Sequence, residues 1–212
     1  GKSSLLQRFM LKDKEQISMC IAPTIEETHE FTYQLSCVDK QVKLKIVDTA
    51  GDDSYKISQN PSDLVTQCEG CILVADVTDR SSLKDIKQWF LEINKSKRDS
   101  ISNIAAKRYP EKPLCIAGNK CDQIAREFTR DDVLDSFLKC MKPLQEDSEP
   151  QQPNRTAKHV YFETSAYSNT NVRELFESVI QQCIVTRVNR RKLMDNYMMC
   201  HSVSNRGSNK RN

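Results

Sequence analysis

The chain has 212 residues, 38% of them hydrophobic and 29% charged, enough to build one core of ordinary size without requiring a second domain. Its longest apolar run, residues 71–75, is too short to cross a bilayer, and a net charge of +3 is too small to argue for a nucleic-acid partner. Nine scattered cysteines, an odd number, point to reduced thiols in a cytoplasmic protein rather than to a disulfide framework.

Leu5, Leu6, Phe9 and Met10 recur at helical spacing, which predicts a short helix over 2–12. Strand-like runs at 28–38 and 41–47 flank a tight connection at Asp39-Lys40 and predict an antiparallel hairpin at one edge of a sheet. A buried-type strand is expected over 70–76. Just before it, Cys68-Glu69-Gly70-Cys71 has metal or redox spacing, but it leads straight into the apolar run, so packing at the start of a strand is the expected role. Leu83, Ile86, Trp89, Phe90 and Ile93 then form an amphipathic stripe over 82–95.

After a polar stretch at 96–112 comes an apolar strand at 113–118, followed by a helix beginning after Thr129, a suitable N-cap with acidic residues in the first turn. Residues 142–157 carry three prolines and almost no apolar side chains, which predicts a flexible surface insertion. A strand at 160–163 and a helix at 171–188, with Val172, Leu175, Phe176, Val179 and Ile180 inward, complete a domain spanning 1–188. Residues 189–212 are expected to be a basic, disordered tail. Strands alternating with helices predict an α/β fold with a mostly parallel sheet covered on both faces.

Three short segments carry chemistry. Gly1-Lys2-Ser3-Ser4 runs directly into the first helix and matches the second half of G-x-x-x-x-G-K-[ST], in which loop amides cradle phosphate, the lysine adds positive charge and the first hydroxyl can ligate magnesium. Alone it is a weak signal, equally readable as a serine-rich helix start. Asp48-Thr49-Ala50-Gly51 follows an apolar strand, which suits Asp48 to a magnesium site and Gly51 to a backbone contact with phosphate. Gly118-Asn119-Lys120-Cys121-Asp122 also ends a strand, and its spacing lets one carboxylate accept two hydrogen bonds, a donor pair that guanine offers and adenine does not. Glu163-Thr164-Ser165-Ala166 ends another, where small residues let the backbone approach a ring.

Together these residues resemble the Ras superfamily of small GTPases, over residues 1 to about 186. The resemblance implies a P-loop small G domain, with a six-stranded sheet carrying one antiparallel edge strand and with its first strand and half of the phosphate loop lying before Gly1. It implies GTP or GDP and magnesium as ligands. Gly1, Lys2, Ser3, Ser4, Thr24, Asp48 and Gly51 would serve phosphate, with Ser3, Thr24 and Asp48 holding the metal; Asn119, Lys120, Asp122, Ser165 and Ala166 would serve guanine. Effectors, an exchange factor and a GTPase-activating protein would be the partners of a monomeric switch. Tyr161 to Ala166, Asn169 to Val172 and Arg126-Glu127 further resemble the dexamethasone-induced Ras-like group.

Departures from the family pattern matter to catalysis. Lys2 and Gly51 fall at catalytic positions, but Asp52 stands where most relatives carry the glutamine that orients the attacking water, so slow GTP hydrolysis is expected, with a non-hydrolysing GTP-bound adaptor as the alternative. A P-loop enzyme with another phosphoryl acceptor is a third alternative, opposed by the Asn119 to Asp122 segment. The stretch before Thr24 has no aromatic residue to pack on the base; Ile17 or Met19 would substitute, and Ile21 stands where a tyrosine commonly closes over the phosphates. The end of the chain carries no prenylation motif. Arg187, Arg190, Arg191, Lys192, Arg206, Lys210 and Arg211 fit either a solvated tail or peripheral contact with an anionic membrane at the inner face of the plasma membrane.

Overall fold

The computed structural model describes residues 1–11, 26–36, 41–49, 67–99, 112–141 and 160–207. In chain order its elements are α1 (Lys2–Met10), β1 (Glu26–Gln34), β2 (Gln41–Thr49), β3 (Cys71–Asp76), α2 (Ser82–Asp99), β4 (Leu114–Asn119), α3 (Arg130–Met141), β5 (Val160–Glu163) and α4 (Val172–Gly207). The insertion expected at 142–157 lies outside the described residues. No helix among them is long and apolar enough to cross a membrane.

Strands β1 and β2 form an antiparallel ribbon, with Glu27 opposite Asp48 and Gln34 opposite Gln41. Strands β3, β4 and β5 form a parallel sheet in that order. The mixture of one antiparallel pairing with a parallel sheet is the expected one. Among the described residues, however, the five strands make two separate sheets, joined by side-chain packing rather than by a shared ladder.

Period-two alternation in β3 and β4 splits the core between two faces. On one face Leu73, Ala75, Leu114 and Ile116 pack with Ile86, Phe90 and Ile93 of α2 and with Val133 of α3. On the other, Cys115 and Ala117 pack with Leu5, Leu6 and Phe9 of α1 and with Val172, Leu175, Phe176 and Ile180 of α4. The ribbon joins this second core through Phe9, whose ring stacks on Phe176 at 4.2 Å between centroids and meets Tyr33 at 4.7 Å. Glu177 adds a polar clasp: its Oε1 accepts from the Tyr33 hydroxyl at 2.7 Å and from the Ser36 hydroxyl at 2.5 Å.

The cap expected at Thr129 is present. The Thr129 amide donates to Asp132 Oδ2 at 2.8 Å while the Asp132 amide reaches back to Thr129 Oγ1 at 3.4 Å, which satisfies amides that the first turn of α3 leaves over. At the other end of the domain α4 is longer than the helix expected at 171–188, continuing past Val188 to Gly207. Residues 189–206 contain neither proline nor glycine, so nothing breaks the helix before Gly207, although the apolar periodicity that marks its packed half ends near Ile180. Arg187, grouped with the tail's cations in sequence, is instead paired with Glu69, its Nε donating to Oε1 at 3.1 Å.

Candidate nucleotide site

Parallel strands that share a register end together, and here Asp76 of β3 lies beside Asn119 of β4 while Gly118 lies beside Glu163 of β5. The segments after β4 and β5 therefore converge beyond the carboxyl ends of the sheet, where open parallel sheets bind ligands. Backbone bonds tie them together: the Thr164 amide donates to Gly118 O at 2.8 Å and the Cys121 amide to Thr164 O at 3.0 Å.

Asn119 is buried and bridges the two segments, its Oδ1 accepting from the Ala166 amide at 3.2 Å. Its Nδ2 also faces α1: a Cβ on Gly1 would come within 2.8 Å of that nitrogen, so glycine allows the helix start to sit directly against the strand end. Lys120 takes a left-handed backbone conformation, with φ of 65°, uncommon for a side chain of its size and of the kind that clusters at functional sites. Its ammonium pairs with Asp76 Oδ2 at 2.5 Å. Burial works against the ionised Asp76, but hydrogen bonds from Lys120 and Thr78 prevail and hold its carboxyl below the usual range.

Asp122 is exposed, yet it is oriented. A hydrogen bond from the Ser165 hydroxyl is the main reason its carboxyl sits below the usual range, and Gln123 Nε2 donates to its Oδ2 at 2.6 Å. Ser165 is fully buried and is fixed in turn, its Oγ accepting from the Ser168 amide at 3.0 Å and its backbone bridging Thr170. Arg8 of α1 closes the back of the loop by donating to Ala166 O at 2.9 Å.

The residues expected to serve phosphate come from elsewhere. Gly1 caps α1, Lys2, Ser3 and Ser4 form its first turn, and buried Asp48 is the penultimate residue of β2. They approach the segment after β4 at Gly1, on which a Cβ would come within 2.8 Å of Asn119 Nδ2. Thr24, Gly51 and Asp52 lie outside the described residues, as do Ile17, Met19 and Ile21.

Several contributors escape a motif scan. Arg8 looks like an ordinary helix-surface cation, and Asp76 like the end of a strand. Arg126 contacts both Glu163 oxygens at 3.0 Å and Cys121 O at 2.9 Å, clamping the segment after β4 to the end of β5. Gly118 is needed because the Tyr161 hydroxyl occupies the place its Cβ would take. Only the run of Gly118 directly before Asn119 hints at that constraint in sequence.

The donor set suits a purine nucleotide: an oriented, exposed carboxylate, two fixed small residues beside it, and a helix start carrying Lys2 and Ser3 close by. A hydroxyl and a buried carboxylate, Ser3 and Asp48, are hard oxygen donors of the kind magnesium takes.

Residues 1–185 match the Ras family, and the chain belongs to that family of α/β G domains. It is 31% identical over 181 residues to GTP-binding protein Di-Ras2 of Pongo abelii, spanning 85% of this chain and 74% of that one. With GTP-binding protein Di-Ras1 of Homo sapiens it shares 30% over 180 residues, again 85% and 74% of the two chains. Ras-related protein SEC4 of Saccharomyces cerevisiae is 29% identical over 200 residues, 92% of this chain and 74% of SEC4.

Proposed function

We propose that the chain is a guanine-nucleotide switch that binds GTP and GDP with magnesium and hydrolyses GTP slowly. The convergence of Asn119, Lys120, Asp122, Ser165 and Ala166 against Gly1 carries this reading. Asp122 accepts the two guanine donors, with Ser165 holding its carboxylate ionised and aimed. The stem of Lys120 lies along the base, and a base oxygen would share the Ala166 amide with Asn119.

Lys2 and the α1 amides hold the phosphates, with Gly51 supplying a further amide. Magnesium would offset phosphate charge, and the oxygens of Ser3, Thr24 and Asp48 are those that would hold it. Family membership brings effectors, an exchange factor and an activating protein as the partners of such a switch.

Asp52 sets the rate. Its carboxylate can accept a hydrogen bond from water, but it cannot donate as an amide does, and its charge opposes the negative charge that develops during phosphoryl transfer. The same residue favours a second reading, a GTP-loaded adaptor that barely hydrolyses. Nucleotide extracted from the purified protein separates them: mainly GDP supports the switch, mainly GTP the adaptor, and ATP would sink both. In single-turnover hydrolysis Asp52→Gln is expected to react at least about tenfold faster than the native chain. An unchanged rate would remove Asp52 from the account.

A further inference from the structure

At the opposite end of β3 from the nucleotide site, three thiols gather. Cys68 Sγ lies 3.3 Å from Cys71 Sγ, and both residues are half-buried thiols in this structure. Lys112 places its ammonium 3.7 Å from Cys68 Sγ. Cys183 of α4 approaches from the other side, close enough that a Cβ on Gly70 would come within 2.6 Å of its sulfur. Glu69 and Arg187 complete the charged surroundings and neutralise one another.

Zinc does not explain the cluster: no group of three or more His, Cys, Asp or Glu among the described residues is placed to hold a metal. Packing alone does not explain it either, because the two thiols are chemically unlike. The hydrogen bond from Cys71, seconded by Lys112, brings the Cys68 thiol down to about 6. Its partner is pushed the other way, first by that same hydrogen bond and then by burial, while burial raises Cys183 to about 11. One ionised, reachable sulfur beside a protonated one is the arrangement of an attacking and a resolving thiol.

We propose that Cys68 and Cys71 are a peroxide-sensitive pair that closes to an intramolecular disulfide. The Cys68 thiolate attacks one oxygen of hydrogen peroxide; the S–O bond forms, the O–O bond breaks and hydroxide leaves, taking a proton to become water. Cys71, losing its proton, then attacks the sulfenic sulfur; the S–S bond forms and a second water departs. Two thiols and one peroxide give one disulfide and two waters. The sulfurs need to close from 3.3 Å to about 2 Å, within reach of side-chain rotation. Five residue steps along β3, about 17 Å at ~3.3 Å each, separate Cys71 from Asp76, so the site stands apart from nucleotide binding.

The test uses the whole chain, reduced and then given a small excess of hydrogen peroxide at pH 7, alkylated and digested with trypsin. Residues 57–80 form one tryptic peptide whose only cysteines are Cys68 and Cys71. That peptide is expected to lose 2 Da before any other cysteine changes, to resist alkylation, and to recover both on reduction with dithiothreitol. Cys68 should alkylate at least about tenfold faster at pH 7 than an ordinary thiol, and Lys112→Met should slow it. In Cys71→Ser the sulfenic acid should persist and be trapped by dimedone. Direct passage of Cys68 to sulfinic acid in the native chain, a crosslink to Cys183, or prior oxidation of another cysteine would each overturn the proposal. The native-chain measurement decides the matter even where Cys71→Ser does not fold.

Discussion

Asn119, Asp122 and Ser165 stand at or just past the ends of hydrogen-bonded parallel strands, whereas Lys2 and Ser3 come from α1 and Asp48 from a ribbon that belongs to a separate sheet. The base side is thus fixed by short-range backbone bonds, several of them under 3.1 Å, between segments that leave the same sheet. The proposed phosphate side is assembled by tertiary packing: Phe9 against Tyr33 and Phe176, and Glu177 against Tyr33 and Ser36, set where Asp48 lies relative to α1. If the proposed function holds, base recognition should therefore tolerate damage to the residues proposed to hold magnesium.

Removing the packing that joins the ribbon to the helices gives the largest expected effect. Phe9→Ala should cost about 3–5 kcal/mol in urea unfolding, because a buried ring in contact with three others is lost together with the docking of β1 and β2. A loss under about 1 kcal/mol would mean that the ribbon is held by something else.

Asp122→Ala attacks the base side without touching the core. Since Asp122 is exposed, the melting temperature should barely move, but GDP affinity should fall by at least about 100-fold, read by displacement of a fluorescent nucleotide. Equal losses of affinity and of stability would erase the distinction between the two sides.

Gly118→Ala tests the strand-end geometry. The new methyl meets the Tyr161 hydroxyl, which is buried without a hydrogen-bond partner among the described residues and whose pKa burial pushes up to about 12. A destabilisation of about 1–3 kcal/mol is expected by thermal unfolding, and Tyr161→Phe, which removes the obstructing oxygen, should restore most of it. Failure of that rescue would place the strain elsewhere.

The smallest effect is on acid stability. Burial works against the charge on Glu177, yet hydrogen bonds from Ser36 and Tyr33 prevail and hold its carboxyl below the ordinary value of 4.5. Its contribution is complete above that value and disappears as pH falls through the lowered folded value. Glu177→Gln should lower stability modestly at pH 7 and flatten its further loss below about pH 4.5, so that the two chains converge in acid; an unaltered acid limb would contradict the clasp.

Much of this was legible in the sequence because it depended on local pattern. Unbroken apolar runs marked β3 and β4, helical spacing marked Ile86, Phe90 and Ile93, and the run from Asn119 to Asp122 pointed to guanine on its own spacing. What the sequence concealed depended on distant partners. Nothing local says that Arg8 donates to Ala166, that Tyr161 occupies the space beside Gly118, or that Arg187 pairs with Glu69 rather than extending a free basic tail. The length of α4 was missed for a related reason: after Ile180 its apolar stripe fades, and intrinsic propensity without a breaker carries the helix to Gly207.

The most direct measurement is a pair of equilibrium titrations of the full chain in magnesium, one with fluorescent GDP and one with fluorescent ADP, repeated on Asp122→Ala. The account predicts at least about 100-fold tighter binding of the guanine nucleotide by the native chain, and collapse of that preference in the variant. Equal affinity for the two bases, or a guanine preference that survives loss of the Asp122 carboxylate, would contradict it.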